Sequence, residues 1–354
     1  MRTQKSNSQK RTLLVLIALL LIVLLGTRTS LAGNSKRTGT AGASELLIPV
    51  GGAGTALSGS TLAATSGVEA LYWNPAGLAR SEPVELMFSS MSYIAGITVS
   101  YFAASATFGD IGSFGVSIKS LDFGDIPLTT AEDPEGLTGM TFSPTYLTGS
   151  VTYARFIIKE VQVGATFKVV SEKIGDVSAV GYAFDFGLQY ASPFGLRLGV
   201  ALKNVGPQMQ FEGYGLETLT SRTDGNSDQN KLRTQITSAP FDLPALFELG
   251  LAYELQVSSY NAILFTGNFR NNNFSNDEYQ LGAEYAFQKL FFVRAGYAVQ
   301  PEKDAQTDGV FSTSYSLGVG LNYKIGAVGF RLDYAYRSAD RFNGNQIFAI
   351  RLMF

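Results

Sequence analysis

"SYSLGVGLNYKI", residues 314–325, alternates without a break. Tyr315, Leu317, Val319, Leu321, Tyr323 and Ile325 fall on one face, with Ser316, Gly318, Gly320, Asn322 and Lys324 on the other. A period of two is the signature of a strand, whose successive side chains point to opposite faces. "FELGLAYELQ" (247–256) and "EYQLGAEYAFQ" (278–288) repeat the pattern, the second setting Tyr279, Leu281, Ala283, Tyr285 and Phe287 against Glu278, Gln280, Gly282, Glu284 and Gln288. The polar faces are built from Gly, Ala, Ser and Gln with isolated charges. The outer strands of a soluble sandwich carry far more Lys and Glu.

Working outward from Pro83 gives about fourteen such segments, centred near 88, 101, 116, 149, 166, 185, 200, 249, 265, 282, 295, 319, 332 and 350. Short turns fall at Gly109-Asp110, Ile158-Lys159, Ser192-Pro193, Val257-Ser258, Gln288-Lys289 and Ile325-Gly326, while longer connections, chiefly 123–142, 206–240 and 300–312, alternate with them. An even number of strands of about ten residues, with short turns at one end and longer loops at the other, is the pattern of a transmembrane β-barrel. The predicted fold is therefore all-β, a 14-stranded antiparallel transmembrane barrel. Lipid leaves few alternatives, because every backbone N–H and C=O within it needs a protein partner. Arg197, Lys203, Glu248, Glu284, Arg294, Arg331, Asp333, Arg337 and Arg351 all fall on the polar, lumen-facing side. Tyr182, Tyr190, Tyr297, Tyr315, Tyr323 and Tyr336 are placed on the apolar face near strand ends, where an aromatic girdle would lie.

Composition agrees. Charged residues make up 16% of the 354, aromatic residues 12%, and the formal net charge is -2. That balance carries no nucleic-acid footprint. With no histidine and no cysteine, a Ser-His-Asp or Cys-His relay, a disulfide and a thiolate or imidazole metal site are all excluded. No catalytic residue, metal or cofactor is expected, and the chain is read as non-enzymatic.

The two termini carry further signals. Arg2, Lys5, Lys10 and Arg11 precede an apolar run from Leu13 to Leu25, and Ser30-Leu31-Ala32 offers small residues for cleavage. The run is shorter than the roughly 20 residues a helical span requires. Residues 1–32 are thus expected to be a secretory signal peptide of the Sec pathway, with the mature chain starting at Gly33. At the other end "NQIFAIRLMF" aligns Phe348, Ile350, Leu352 and Phe354 on one face. An in-register terminal aromatic resembles the signal read by the outer-membrane barrel-assembly machinery.

Residues 40–82 do not alternate. "VEALYWNPAGLA" (68–79) holds the only tryptophan, Trp73, beside Tyr72 and ahead of Asn74-Pro75 and Gly77. Ser66 to Glu69 fits a capping box for a short helix over 67–72, and Asn74 is placed to cap a second turn with Pro75 at its first position, ending near Gly77. Gly52 and Gly54 suggest a dinucleotide fingerprint, but Leu57 stands where its third glycine belongs. A fourteen-strand lumen is wider than its own side chains can fill. Residues 33–82 are therefore expected to form a small plug with short helical turns inside an 83–354 barrel, with Tyr72, Trp73, Asn74, Pro75 and Gly77 as its anchor and gate.

The segment "GGAGTALSG…VEALYWNPAGLA" resembles the N-terminal signature of the PorV/PorQ family, within the wider FadL-type group of fourteen-stranded barrels (the OMPP1/FadL/TodX superfamily). "GLRLGVALKNVGPQMQFEG" (195–213), "LPALFELGLAYEL" (243–255), "YQLGAEYAFQKLFFVRAGY" (279–297) and "VGFRLDYAYRS" (328–338) are similar to later family segments. The resemblance implies an outer-membrane protein with one of two duties. A PorV-like protein receives the C-terminal domains of secreted cargo beside type IX secretion subunits. A FadL-like one carries long-chain fatty acids or other hydrophobic small molecules. The polar stretch "SRTDGNSDQNKLRTQ" (221–235) and the acids Asp125, Glu132, Asp133 and Glu135 in the other long loop lean toward the first. An open porin is a further alternative, disfavoured because a plug would block its pore.

Overall fold

All fourteen alternating segments form strands, and hydrogen bonding carries each one to both neighbours. The computed structural model describes residues 39–131, 133–221, 231–301, 311, 313–340 and 342–354. The signal peptide expected over 1–32, the start of the mature chain at Gly33 and the loop acid Glu132 lie outside the described residues. The wall consists of β1 (Val84–Ser92), β2 (Thr98–Thr107), β3 (Ser113–Asp122), β4 (Thr145–Ile158), β5 (Val161–Ile174), β6 (Val177–Ala191) and β7 (Leu196–Val205). It continues through β8 (Leu246–Gln256), β9 (Ala262–Asn272), β10 (Glu278–Phe287), β11 (Phe291–Val299), β12 (Thr313–Ile325), β13 (Val328–Arg337) and β14 (Asn345–Met353).

The sheet closes antiparallel between β1 and β14, with Phe88 opposite Ile350 and Ser90 opposite Phe348. Closure removes both sheet edges, so every strand finds two partners, as lipid demands. The final residue takes part. Phe354 N donates to Val84 O at 2.9 Å, and Val84 N donates back to Phe354 O at 3.4 Å. Deleting Phe354 removes this last clasp together with an exposed aromatic. The expected result is a chain that is exported but gives a much lower yield of folded barrel, read from heat-modifiable migration on a gel. Unchanged yield would show that the terminal residue matters to neither closure nor recognition.

The alternation maps onto the wall as lipid face and lumen face. In β12, Tyr315, Leu317 and Val319 are exposed, while Ser314 and Ser316 between them are buried. Tyr297 and Tyr323 also stand on the outside, Tyr190 and Tyr336 are half-buried, and Tyr182 lies well inside β6 rather than at its end. Most strands have 9 to 11 residues, but β4, β5 and β6 have 14, 14 and 15. About ten tilted residues cross the apolar band, so these three are longer than it requires: β4 runs past β3 at the short-turn end, and β6 runs past β7 at the opposite end. There the connection 123–144 carries a two-residue ladder of Ile126–Pro127 with Thr141–Phe142, and Glu217–Ser221 pairs with Lys231–Gln235 in the long loop after β7.

The core lies inside the barrel rather than within the wall. Residues 41–82 are almost all buried, and they run between inward faces of the strands. The helical turn Gly52–Ala56 lies against β11 to β14, and the 3-10 turn Pro75–Arg80 against β3 to β6, so the segment braces opposite sides. Its apolar side chains meet inward-facing apolar residues of the wall: Leu71, Trp73 and Leu78 with Met87, Tyr101, Ala103 and Ala154; Leu46 with Val170 and Ala183; Ile48 and Ala56 with Met91, Ala335 and Ile347.

Candidate functional site

The lumen is the part of the molecule where chemistry-bearing side chains converge, and residues 41–82 organise it. Ala70–Trp73 forms a single α-helical turn that continues a 3-10 turn at Gly67–Glu69. The capping box expected at Ser66 does not form, since Ser66 makes no side-chain cap. Glu69 is drawn away instead, accepting from Gly54 N at 3.0 Å and from Arg351 Nη2 at 2.6 Å. A charged partner outcompetes a local cap. Asn74 does cap the next turn, accepting from Ala76 N at 3.2 Å, with Pro75 at the first position. That turn runs on to Arg80, past the end expected at Gly77.

The sequence-selected residues come together. Tyr72 and Trp73 meet edge to face at 4.9 Å between ring centroids, and Trp73 is 3% exposed. Gly54 lies against the indole so closely that a Cβ there would overlap it. Cations flank the pair, with Lys203 Nζ 4.6 Å from the Tyr72 ring and Lys119 Nζ 5.0 Å from it, a favourable placement for ammonium over a π-face. Lys119 also donates to the carbonyl of Glu45 at 2.6 Å, tying the start of the segment to β3.

Asn74 reaches both ways, its Nδ2 donating to Leu62 O at 3.0 Å and to Leu188 O of the wall at 3.3 Å. Asn74 and Pro75 press on a cross-strand glycine pair, Gly164 of β5 opposite Gly187 of β6. A Cβ at Gly187 would overlap the Asn74 oxygen, and one at Gly164 would overlap the Pro75 carbonyl. Glycine is required here by close approach of the turn, through its backbone at Gly164 and through the Asn74 and Pro75 side chains at Gly187. Gly77 is seated under the carbonyl of Thr65 for the same reason. Wall side chains hold the rest of the segment. Gln189 donates to Leu62 O and Thr65 O, Asn268 to Gly59 O, and Ser60 bonds Thr266 at 2.6 Å.

Most of the lumen-facing charges form ion pairs, while Arg337 lies over the Phe311 ring at 4.2 Å. Arg294 bonds Glu284 and, at 2.7 Å, Asp333 Oδ1; Arg331 Nε bonds Asp333 Oδ2 at 3.0 Å. Arg197 pairs with Glu254, and Arg270 with Glu248 at 2.6 Å. Lys168, Asp185 and Arg270, which the sequence reading did not single out, belong to the same interior set; the first two form a pair at 2.5 Å. Their positions on the polar face of alternating strands were the available signal. In the loop after β3, Asp133 accepts from Thr138 N at 2.8 Å and from Leu137 N at 2.9 Å, which holds its carboxyl below the usual range and uses it within the loop.

Little room remains beside the aromatic pair. Two cavities of about 20 Å³ adjoin Tyr72, each near the volume of a single water probe. A larger one of about 340 Å³ lies at the short-turn end, between Leu57, Thr65 and Glu69 and the wall residues Glu284, Arg331 and Arg351. Outside, on the lipid face, an apolar hollow of about 470 Å³ is lined by Val163, Ala165, Phe186, Leu188, Val200 and Leu202, over the Gly164–Gly187 pair.

Among solved structures this architecture matches the monoaromatic hydrocarbon channel CymD, with a TM-score of 0.52 at 13% identity over 86% of this chain and 97% of that one. It matches the Pseudomonas putida toluene transporter TodX equally, with a TM-score of 0.52 at 12% identity over 86% and 98% of the two chains. The fold is that of a FadL-type barrel. No protein-family model matches the sequence, and no curated protein matches it.

Proposed function

We propose that this chain is an outer-membrane barrel that moves hydrophobic small molecules across that membrane, with residues 41–82 as its plug and gate. The observation that carries this reading is the occupied lumen. A folded segment is wedged by Trp73, Asn74 and Pro75 against a barrel that follows CymD and TodX over 86% of its length. An open porin keeps a water-filled passage, whereas here the centre is taken up by buried side chains. The apolar hollow outside Gly164 and Gly187 suits the same reading, since only one layer of backbone separates it from Asn74-Pro75. The short-turn end, which holds both Val84 and Phe354, faces the periplasm in this reading. The signal peptide, the surrounding outer-membrane lipid and the assembly machinery's use of Phe348, Ile350, Leu352 and Phe354 complete it.

The PorV-type alternative draws on the ordered family-like segments and the polar outer loops. One experiment separates the two. Cells lacking their own hydrocarbon channels, expressing this chain, should take up labelled toluene or a long-chain fatty acid severalfold faster than cells with the empty vector. Uptake at the vector level, with the folded barrel co-purifying with type IX secretion subunits and cargo C-terminal domains, would replace transport with the secretion role.

A further inference from the structure

The 340 Å³ cavity at the short-turn end has a charge pattern that plug packing does not use up. Arg331 of β13 and Arg351 of β14 are direct cross-strand partners, and both line it. Like charges placed directly opposite destabilise a sheet unless something lies between them. Neither guanidinium is saturated. The hydrogen bonds of Arg331 engage its Nε, on Asp333, while Arg351 spends Nη2 on Glu69 and leaves its buried Nε without a partner. Just behind, Arg294 is 1% exposed and its Nη2 is also unpartnered.

The carboxylates nearby are already engaged. Glu69, Glu254, Glu284 and Asp333 are each already bonded to an arginine. Against those four stand Arg197, Arg294, Arg331, Arg351 and, at the β10–β11 turn, Lys289, so one positive charge is in excess. The guanidinium planes are held. Phe292 lies between them, 5.1 Å from the Arg294 carbon and 5.0 Å from that of Arg331. Arg197 and Glu254 are 26% and 29% exposed, so the cavity opens toward solvent at this mouth.

We propose that this cavity is an oxyanion-binding site, with Arg331, Arg351 and Lys289 as its donors. The chemistry recognised is that of a phosphate or carboxylate group, whose paired oxygens match a guanidinium fork. Leu57 of the inner segment and Leu264 and Phe292 of the wall also line it and give room for an apolar tail. The ligand is thus a free oxyanion or the head of an anionic amphiphile. A neutral hydrocarbon such as toluene would not need these charges, whereas a long-chain carboxylate crossing the barrel would meet them as an amphiphile head.

The test is calorimetric titration of the full mature protein in neutral detergent at low ionic strength, with inorganic phosphate and, separately, an alkyl phosphate below its micellar concentration. Binding is expected to weaken at least about tenfold in Arg331→Gln, the scale of one charge-assisted hydrogen bond, and to fall with added salt. Lys289→Gln, in an exposed turn, should weaken it more modestly and keep the fold if Arg331→Gln does not. Lys173→Gln, at the opposite end of the barrel, should leave it unchanged. Tighter binding of the alkyl phosphate assigns the site to an amphiphile head, and equal binding to a free ion. No binding of either probe, or binding indifferent to both Arg331→Gln and Lys289→Gln, overturns the proposal.

Discussion

Deleting residues 41–82 should turn a barrel that is nearly silent in a planar bilayer into one that conducts ions persistently. Fourteen strands enclose more space than their own side chains fill, and the residual cavities beside Tyr72 hold only about 20 Å³ each. The wall should survive the deletion, because it begins at Val84 and closes through β1 and β14. The polar groups now held by the segment, such as Lys119 and Gln189, would face water instead of an orphaned interior. Two point changes should give intermediate behaviour. Trp73→Ala empties the largest apolar anchor, at a cost of about 3–5 kcal/mol for a buried large aromatic. Gly187→Val drives a side chain into Asn74 and Pro75 from the wall side. Both should show intermittent openings between the silent wild type and the deletion. Trp73 is the only tryptophan, so its emission should shift to the red in Gly187→Val while the barrel stays heat-modifiable. A folded deletion protein that remains silent would rule out residues 41–82 as the plug.

The wall was legible in the sequence because a lipid-facing strand has one rule, strict alternation, and nothing in the lumen perturbs it strongly enough to hide it. Each of the fourteen expected centres falls inside a strand, from Phe88 in β1 to Ile350 in β14. The interior was only half legible. Asn74-Pro75 announced its own turn, because the cap is local. Ser66–Glu69 misled, because Glu69 answers to Arg351, remote in the chain, rather than to Ser66. Nothing in the sequence singles out the glycines at 164 and 187, and only the register that sets them opposite each other reveals the seat for Pro75. The same holds for Arg331 and Arg351, whose juxtaposition across β13 and β14 depends on register. Period fixes which face a side chain takes, but not which neighbour it meets.

Replacing Asp185 with alanine should be among the most destabilising single changes in the wall. Phe184 pairs with Val205 and Phe186 with Leu202, so two residues, Lys203 and Asn204, stand opposite Asp185 in a β-bulge. The bulge puts Asn204 at φ 58°, a left-handed conformation that a non-glycine residue holds only with support. Asp185 supplies that support. Its Oδ1 accepts from Asn204 N at 2.8 Å, while Oδ2 forms the 2.5 Å ion pair with Lys168 Nζ. Lys168 in turn donates to Asn204 Oδ1 at 2.8 Å, and Asn204 Nδ2 to Pro244 O at 3.1 Å, anchoring the end of the long loop. Asp185 is fully buried and Lys168 nearly so, with side-chain exposures of 0% and 7%. Alanine leaves a buried ammonium unpaired and a backbone donor orphaned, and removing one partner of such a pair costs about 3–5 kcal/mol. Asp185→Asn should lose less, because it keeps an acceptor for Asn204 N. The double change Lys168→Met, Asp185→Leu should recover part of the loss, since an apolar pair carries no uncompensated charge. Urea unfolding followed by Trp73 fluorescence and by heat-modifiable migration reports on residues 41–82 and the wall together. Equal midpoints for Asp185→Ala and the wild type would mean that the bulge holds its shape without the carboxylate.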